Sequence, residues 1–108
     1  MRRIAIAGML VFASACSMTL PVTGSVQSTG ETFSGTATGR LDGAGELTIT
    51  SNRGAVCTGR FVYVTSREGS GTFNCNDGRS GPFTFVSTGR RGTGRGTLDG
   101  QPFIFTFG

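Results

Sequence analysis

The stretch Gly92-Thr93-Gly94-Arg95-Gly96-Thr97-Leu98-Asp99-Gly100-Gln101-Pro102-Phe103-Ile104-Phe105-Thr106-Phe107 decides the fold. Asp99-Gly100 is a two-residue turn signal, because a type I′ turn needs positive φ at both central positions. On either side the residues alternate with period two, as half-buried strands do. Folding the stretch on a two-residue loop sets Gly96 opposite Phe103, Gly94 opposite Phe105 and Gly92 opposite Phe107. Each ring then covers a bare stretch of backbone, the packing in which aromatics compensate strand glycines. A three-residue bulged turn would set Thr93 and Arg95 against the rings, so the shorter loop is expected here.

The same pattern extends backwards. Asp-Gly recurs at 42-43 and 77-78, where Asn76-Asp77-Gly78 also suits the bulged form, and softer turns fall at 51–54, 65–69 and 87–91. About seven strands are expected, over 33–41, 44–51, 55–64, 70–76, 80–87, 92–98 and 101–107. Gly59-Arg60-Phe61-Val62-Tyr63-Val64 aligns without gaps on Gly81-Pro82-Phe83-Thr84-Phe85-Val86, and Gln101-Pro102-Phe103 begins a third copy. Two full copies are too few for a solenoid. A flat meander would expose two edges, so the expected fold is all-β, a small antiparallel meander forming a closed or nearly closed barrel. Phe61, Tyr63, Phe83, Phe85, Phe103, Phe105 and Phe107 share the inner face with Leu47 and Ile49.

The chain has 108 residues, enough for one small domain, with 19 glycines, no His and no Trp, and its ten cationic side chains are all Arg. These absences exclude an imidazole base, a Schiff-base lysine and histidine metal ligands. Of the six carboxylates (Glu31, Asp42, Glu46, Glu68, Asp77 and Asp99), three belong to Asp-Gly turns, where they bond locally to the backbone. Nothing in the spacing forces Glu46 and Glu68 together as a glycosidase pair, and no base accompanies the many Ser and Thr. Asn74, Asn76 and Asp77 offer oxygens but lack the carboxylate count of a calcium loop. No enzyme, cofactor or metal site is expected.

The N-terminus carries an address. Arg2 and Arg3 precede an apolar run over residues 4–15 that ends in Ala13-Ser14-Ala15. As a helix the run would be about 18 Å long, short of a ~30 Å hydrocarbon core, so residues 1–15 read as a signal peptide. Ala13-Ser14-Ala15-Cys16 resembles the lipobox of bacterial lipoproteins, with Ala13 where that family usually has Leu, and ordinary secretion stays open as the alternative. The resemblance implies acylation of Cys16 and, from Ser17, transfer to the outer membrane, facing the periplasm. Two or three acyl chains would hold the protein where one would not. Acylation also leaves Cys57 and Cys75 as an even pair at equivalent depths beside the turn near Ser66, expected to form a disulfide, with two separate buried thiols as the alternative. Residues 16–32, rich in Ser, Thr and Gly, read as the acylated cysteine and a flexible tether before a domain over 33–108.

Loss of Arg2 and Arg3 leaves eight Arg against six acids, which gives no support to a nucleic-acid partner. Arg79, Arg90, Arg91 and Arg95 form the densest positive group. They are either solvated strand faces or, gathered on one rim, contacts for the phosphate or carboxylate of a lipid headgroup, an anionic glycolipid or an acidic envelope protein. The aromatic C-terminal strand does not indicate a membrane-spanning barrel, since most of the expected strands, at seven or eight residues, fall short of the nine to eleven needed and the other strands lack an outward apolar band. The expected function is a lipid-anchored envelope module that binds or scaffolds without catalysis. Cys75-Asn76-Asp77-Gly78 also looks like the Cys and Asp-Gly elements of periplasmic lysozyme inhibitors, whose resemblance implies the alternative, inhibition of a wall-degrading glycosidase.

Overall fold

The computed structural model describes residues 17–108; the signal peptide over 1–15 and the acylation site Cys16 lie outside the described residues. Eight antiparallel strands follow one another around a closed barrel: β1 (Ser17–Val26), β2 (Glu31–Arg40), β3 (Ala44–Ser51), β4 (Val56–Tyr63), β5 (Glu68–Cys75), β6 (Ser80–Thr88), β7 (Arg91–Leu98) and β8 (Gln101–Phe107). The seven strands read from the sequence are β2 to β8. The eighth is β1, which occupies most of the segment expected to be a tether. It pairs along its whole length with β2 and, from Val22 to Val26, with β8, closing the sheet.

The segment reads as a tether because it lacks aromatics and contains Pro21. Yet Met18, Leu20, Val22, Gly24 and Val26 alternate strictly with Ser17, Thr19, Pro21, Thr23 and Ser25. Pro21 is tolerated because of where it sits. Its carbonyl accepts the Gly108 N–H, and the N and C=O of one strand residue point to the same side. The missing donor therefore faces the edge beyond Val22↔Phe107, where the β1–β8 pairing has ended.

Asp99-Gly100 is the two-residue turn expected: Leu98 pairs with Gln101, and both turn residues have positive φ. The glycine-to-ring register follows, with Gly92, Gly94 and Gly96 opposite Phe107, Phe105 and Phe103. At 76–78 the bulged form is adopted instead. The Cys75 N–H donates to the Arg79 carbonyl and the Gly78 N–H to the Cys75 carbonyl, with Gly78 alone at positive φ.

Every Phe among the described residues points inward. Phe73, Phe83 and Phe103 are fully buried at the centre, with ring centroids 4.3 Å (Phe73–Phe83) and 5.5 Å (Phe73–Phe103) apart, together with Ile49 and Leu98. Cys57 and Cys75 are direct cross-strand partners and form the disulfide. The outward positions are mostly Thr, Ser and Arg, so the wall is polar outside and apolar inside, the reverse of an outer-membrane barrel. The closed barrel and its core are built from residues 17–108, so this segment holds a complete barrel by itself.

Gly35 shows how the wall curves. A Cβ there would stand 1.9 Å from the Thr48 carbonyl oxygen, so the β2–β3 pair bends in a way only a glycine allows. Gly35→Ala in the 17–108 domain should therefore cost about 3 kcal/mol, the upper part of the range for over-packing. Thr36→Ala, on the exposed face, should stay within about 0.5 kcal/mol. Urea denaturation midpoints would distinguish the two; equal midpoints would contradict the bend.

Candidate functional site

Strand alternation sorts the turns into two ends. At one lie 27–30, 52–55, 76–79 and 99–100; at the other lie 41–43, 64–67 and 89–90, together with Ser17 and Phe107. The first end is closed by an ion pair. Glu31 is 2 % exposed, and Arg79 reaches across the barrel to it with two parallel bonds of 2.7 and 3.0 Å. Arg79 also donates from Nε to Asp77 at 2.9 Å and lies 5.9 Å from the Phe33 ring centroid. Such a fork-to-carboxylate contact is the strongest form of charged hydrogen bond. It holds the Glu31 carboxyl below its ordinary value of 4.5; burial pushes the other way, and Ser51 and Arg53 help Arg79. The Arg79 guanidinium is correspondingly raised by Glu31.

The other end is open. A cavity of about 300 Å³ runs inward from its rim to a floor formed by Leu47, Phe61, Phe85 and Phe105. Leu20, Ala37 and Phe107 form its walls, while Arg40 and the Tyr63 ring stand at the mouth. No carboxylate among the described residues lines it. Three hundred cubic ångströms is the lower bound for a small-molecule pocket, and an apolar interior with a few polar groups at the entrance is the usual composition of one.

The four arginines singled out in the sequence do not gather on one rim. Arg79 belongs to the closed end and is engaged by Glu31 and Asp77. Arg90 and Arg91 stand at the β6–β7 turn of the open end, and Arg95 faces outward from the middle of β7. Consecutive turns of a meander fall at opposite ends, so nearness between residues 79 and 91 becomes separation in space. Glu46 and Glu68 lie on strands separated by β4, on the outer face. Glu46 is held by Arg40 at 2.8 Å, and Glu68 accepts the Thr65 hydroxyl. In the hairpin at 74–77, Asn76 Oδ1 accepts the Val56 N–H at 2.9 Å and Asp77 is taken by Arg79. Sequence reasoning missed the Glu31–Arg79 closure and the cavity. The partners of the first are 48 residues apart, and the second depends on β1.

No protein-family model and no curated protein matches the chain. Two solved structures share its fold. One is a redesigned β-barrel, mFAP1, bound to DFHBI, at a TM-score of 0.68 and 16% identity over 82% of this chain and 90% of that one. Another is a de novo designed fluorescence-activating β-barrel, at a TM-score of 0.63 and 18% identity over 82% of this chain and 88% of that one. At these identities the likeness is one of fold alone.

Because the folded Glu31 titrates below its unfolded value, its contribution to stability is complete above pH 4.5 and is lost as the pH falls through the lower, folded value. Thermal melts of the 17–108 domain should show stability declining on acidification below 4.5. Glu31→Gln should flatten that decline and cost on the order of 2 kcal/mol at neutral pH, less than a wholly buried pair because Arg79 keeps some solvent and Asp77. Glu46→Gln, in an exposed pair, should leave the melting temperature almost unmoved. An acid slope unchanged in Glu31→Gln would refute the closure.

Proposed function

We propose that this chain is a lipid-anchored, non-catalytic binding protein of the bacterial cell envelope, held at the outer membrane on its periplasmic side, and that its barrel receives a small apolar ligand through the open end. The observation that carries the binding reading is the cavity. Aromatic and aliphatic side chains line it, and its one charged neighbour among the described residues is Arg40 at the mouth. An apolar cavity of this size is a standing loss of contact that a complementary apolar ligand would restore. Catalysis has no support from the described lining, which holds no carboxylate and no thiol. One of the designed barrels of like fold is described as bound to DFHBI, which is in keeping with this use of the architecture.

The anchoring reading rests on Ala13-Ser14-Ala15-Cys16, and the polar outer wall of the barrel is consistent with a domain held beside a bilayer rather than through it. The inhibitor reading gains nothing from the geometry, since Asp77 of Cys75-Asn76-Asp77-Gly78 is already engaged by Arg79.

Each half of the proposal has its own test. Growth of cells on an alkyne-bearing fatty acid should label the protein, and Cys16→Ser should abolish the label; an unlabelled wild type with Cys16 as a free thiol would contradict anchoring. The 17–108 domain should bind the uncharged apolar dye N-phenyl-1-naphthylamine saturably. Ala37→Phe, which fills the cavity, should weaken that binding at least about tenfold while the domain still melts cooperatively. An absence of saturable binding would contradict the ligand site.

A further inference from the structure

The two ends of the barrel differ in surface chemistry as well as in closure. The turns of the closed end, 27–30, 52–55, 76–79 and 99–100, are built from Ser, Thr, Asn, Asp, Gln, Arg and Gly, with one buried Ala, and none carries an exposed large apolar side chain. The open rim is the opposite. Leu41 stands at the tip of the β2–β3 turn at 86 % exposure, Val64 begins the β4–β5 turn at 65 %, and Met18 at the start of β1 is 45 % exposed. Tyr63 is exposed beside them at the cavity mouth. Large aliphatic side chains at turn tips confer nothing on the fold and are disfavoured in water, so their grouping around one opening marks an interaction surface.

The charges on the rim indicate what that surface meets. Arg67, Arg90 and Arg91 make no ion pair among the described residues. Of the acids at the same end, Asp42 and Glu46 are paired with Arg40, and Glu68, which accepts only the Thr65 hydroxyl, keeps its charge, so among the described residues three unpaired guanidiniums stand against one unpaired carboxylate. Unpaired guanidiniums interleaved with aliphatic tips suit a boundary where anionic headgroups overlie hydrocarbon. The chain direction agrees. β1 starts at Ser17, on this rim and lining the cavity. A lipid anchor ahead of Ser17, as proposed above, would join the barrel at this same end.

We infer that the open end docks face-on to an anionic lipid bilayer, and that the cavity takes one acyl chain of a lipid from that bilayer, its headgroup remaining on the rim arginines. This rests on the cavity being a binding site for apolar ligands, and it names the ligand. A methylene fills about the volume of a water molecule, ~30 Å³, so the cavity holds about ten of them, the outer part of a lipid chain. The docking surface does not depend on acylation, because its residues all lie within 17–108.

The test uses the 17–108 domain, which lacks Cys16, so the anchor plays no part. The chain has one Tyr and no Trp, which makes Tyr63 fluorescence a reporter placed at the cavity mouth. The domain should bind vesicles of phosphatidylglycerol and phosphatidylcholine at least about tenfold more tightly than vesicles of phosphatidylcholine alone. Lipids brominated along their acyl chains should quench Tyr63 in the mixed vesicles. Leu41→Ser combined with Val64→Ser should weaken vesicle binding at least about tenfold without moving the melting temperature, since both positions are exposed. Absence of binding to anionic vesicles, binding unaffected by the double variant, or unquenched Tyr63 would each overturn the inference. Failure of the underlying ligand-site reading is separately visible, as loss of saturable dye binding by the same domain in the absence of vesicles.

Discussion

The structure depends on the fit of phenylalanine rings over glycine backbone inside an eight-strand barrel. A barrel of this size encloses only enough space for side chains to fill it, and it cannot take a large one at every inward position. Here the inward positions divide the work. Eight phenylalanines, from Phe33 to Phe107, supply the apolar volume, and inward glycines admit them. Phe105 shows the arrangement most fully. It lies on β8 between Gly24 of β1 and Gly94 of β7, and a Cβ at Gly94 would fall 2.1 Å from its ring. The glycines also let the wall turn, as at Gly35, so one residue type provides both the curvature and the room for the core.

The unlike ends follow from how far this packing runs. Phe73, Phe83 and Phe103 fill the middle, and toward the closed end Phe33 sits against Phe103 with centroids 5.3 Å apart, beneath Arg79 and Glu31. A buried carboxylate on the barrel axis is tolerable only with such a partner, and the partner makes a polar lid. Toward the open end the inward residues of β1 and β2 shrink to Leu20, Ala37 and Gly39, while Tyr63, Phe85 and Phe107 line the other side. The cavity is thus the space left where β1 and β2 set small residues against the rings of the other strands, and the rim around it carries the exposed aliphatic tips Leu41 and Val64.

Much of this was legible in the sequence, for reasons that also explain what was not. Asp99-Gly100 with its flanking alternation yields register as well as strand identity, because only one loop length sets the glycines under the rings. The cysteine pair is legible for the same reason, as Cys57 and Cys75 lie at matching depths on two strands joined by a short turn. β1 escaped because its inward residues are Met, Leu, Val and Gly, a weaker alternation than Phe against Thr, and because Pro21 reads as a breaker when its neighbours are unknown. Without β1 the barrel has a gap, and the closure and the open mouth are both concealed. The Arg79 partnership was hidden for a further reason: Glu31 fell in the supposed tether, and contacts across a barrel axis leave no local trace.

The closure of the sheet by β1 against β8 is the claim on which cavity and rim both rest, and backbone NMR of the 17–108 domain tests it most directly. Cross-strand nuclear Overhauser contacts should join the backbone protons of Phe105 both to Gly94 and to Gly24, with matching contacts between Val22 and Phe107. Contacts from Phe105 to Gly94 alone, with rapid amide exchange throughout residues 17–26, would mean an open seven-strand sheet and would contradict the account.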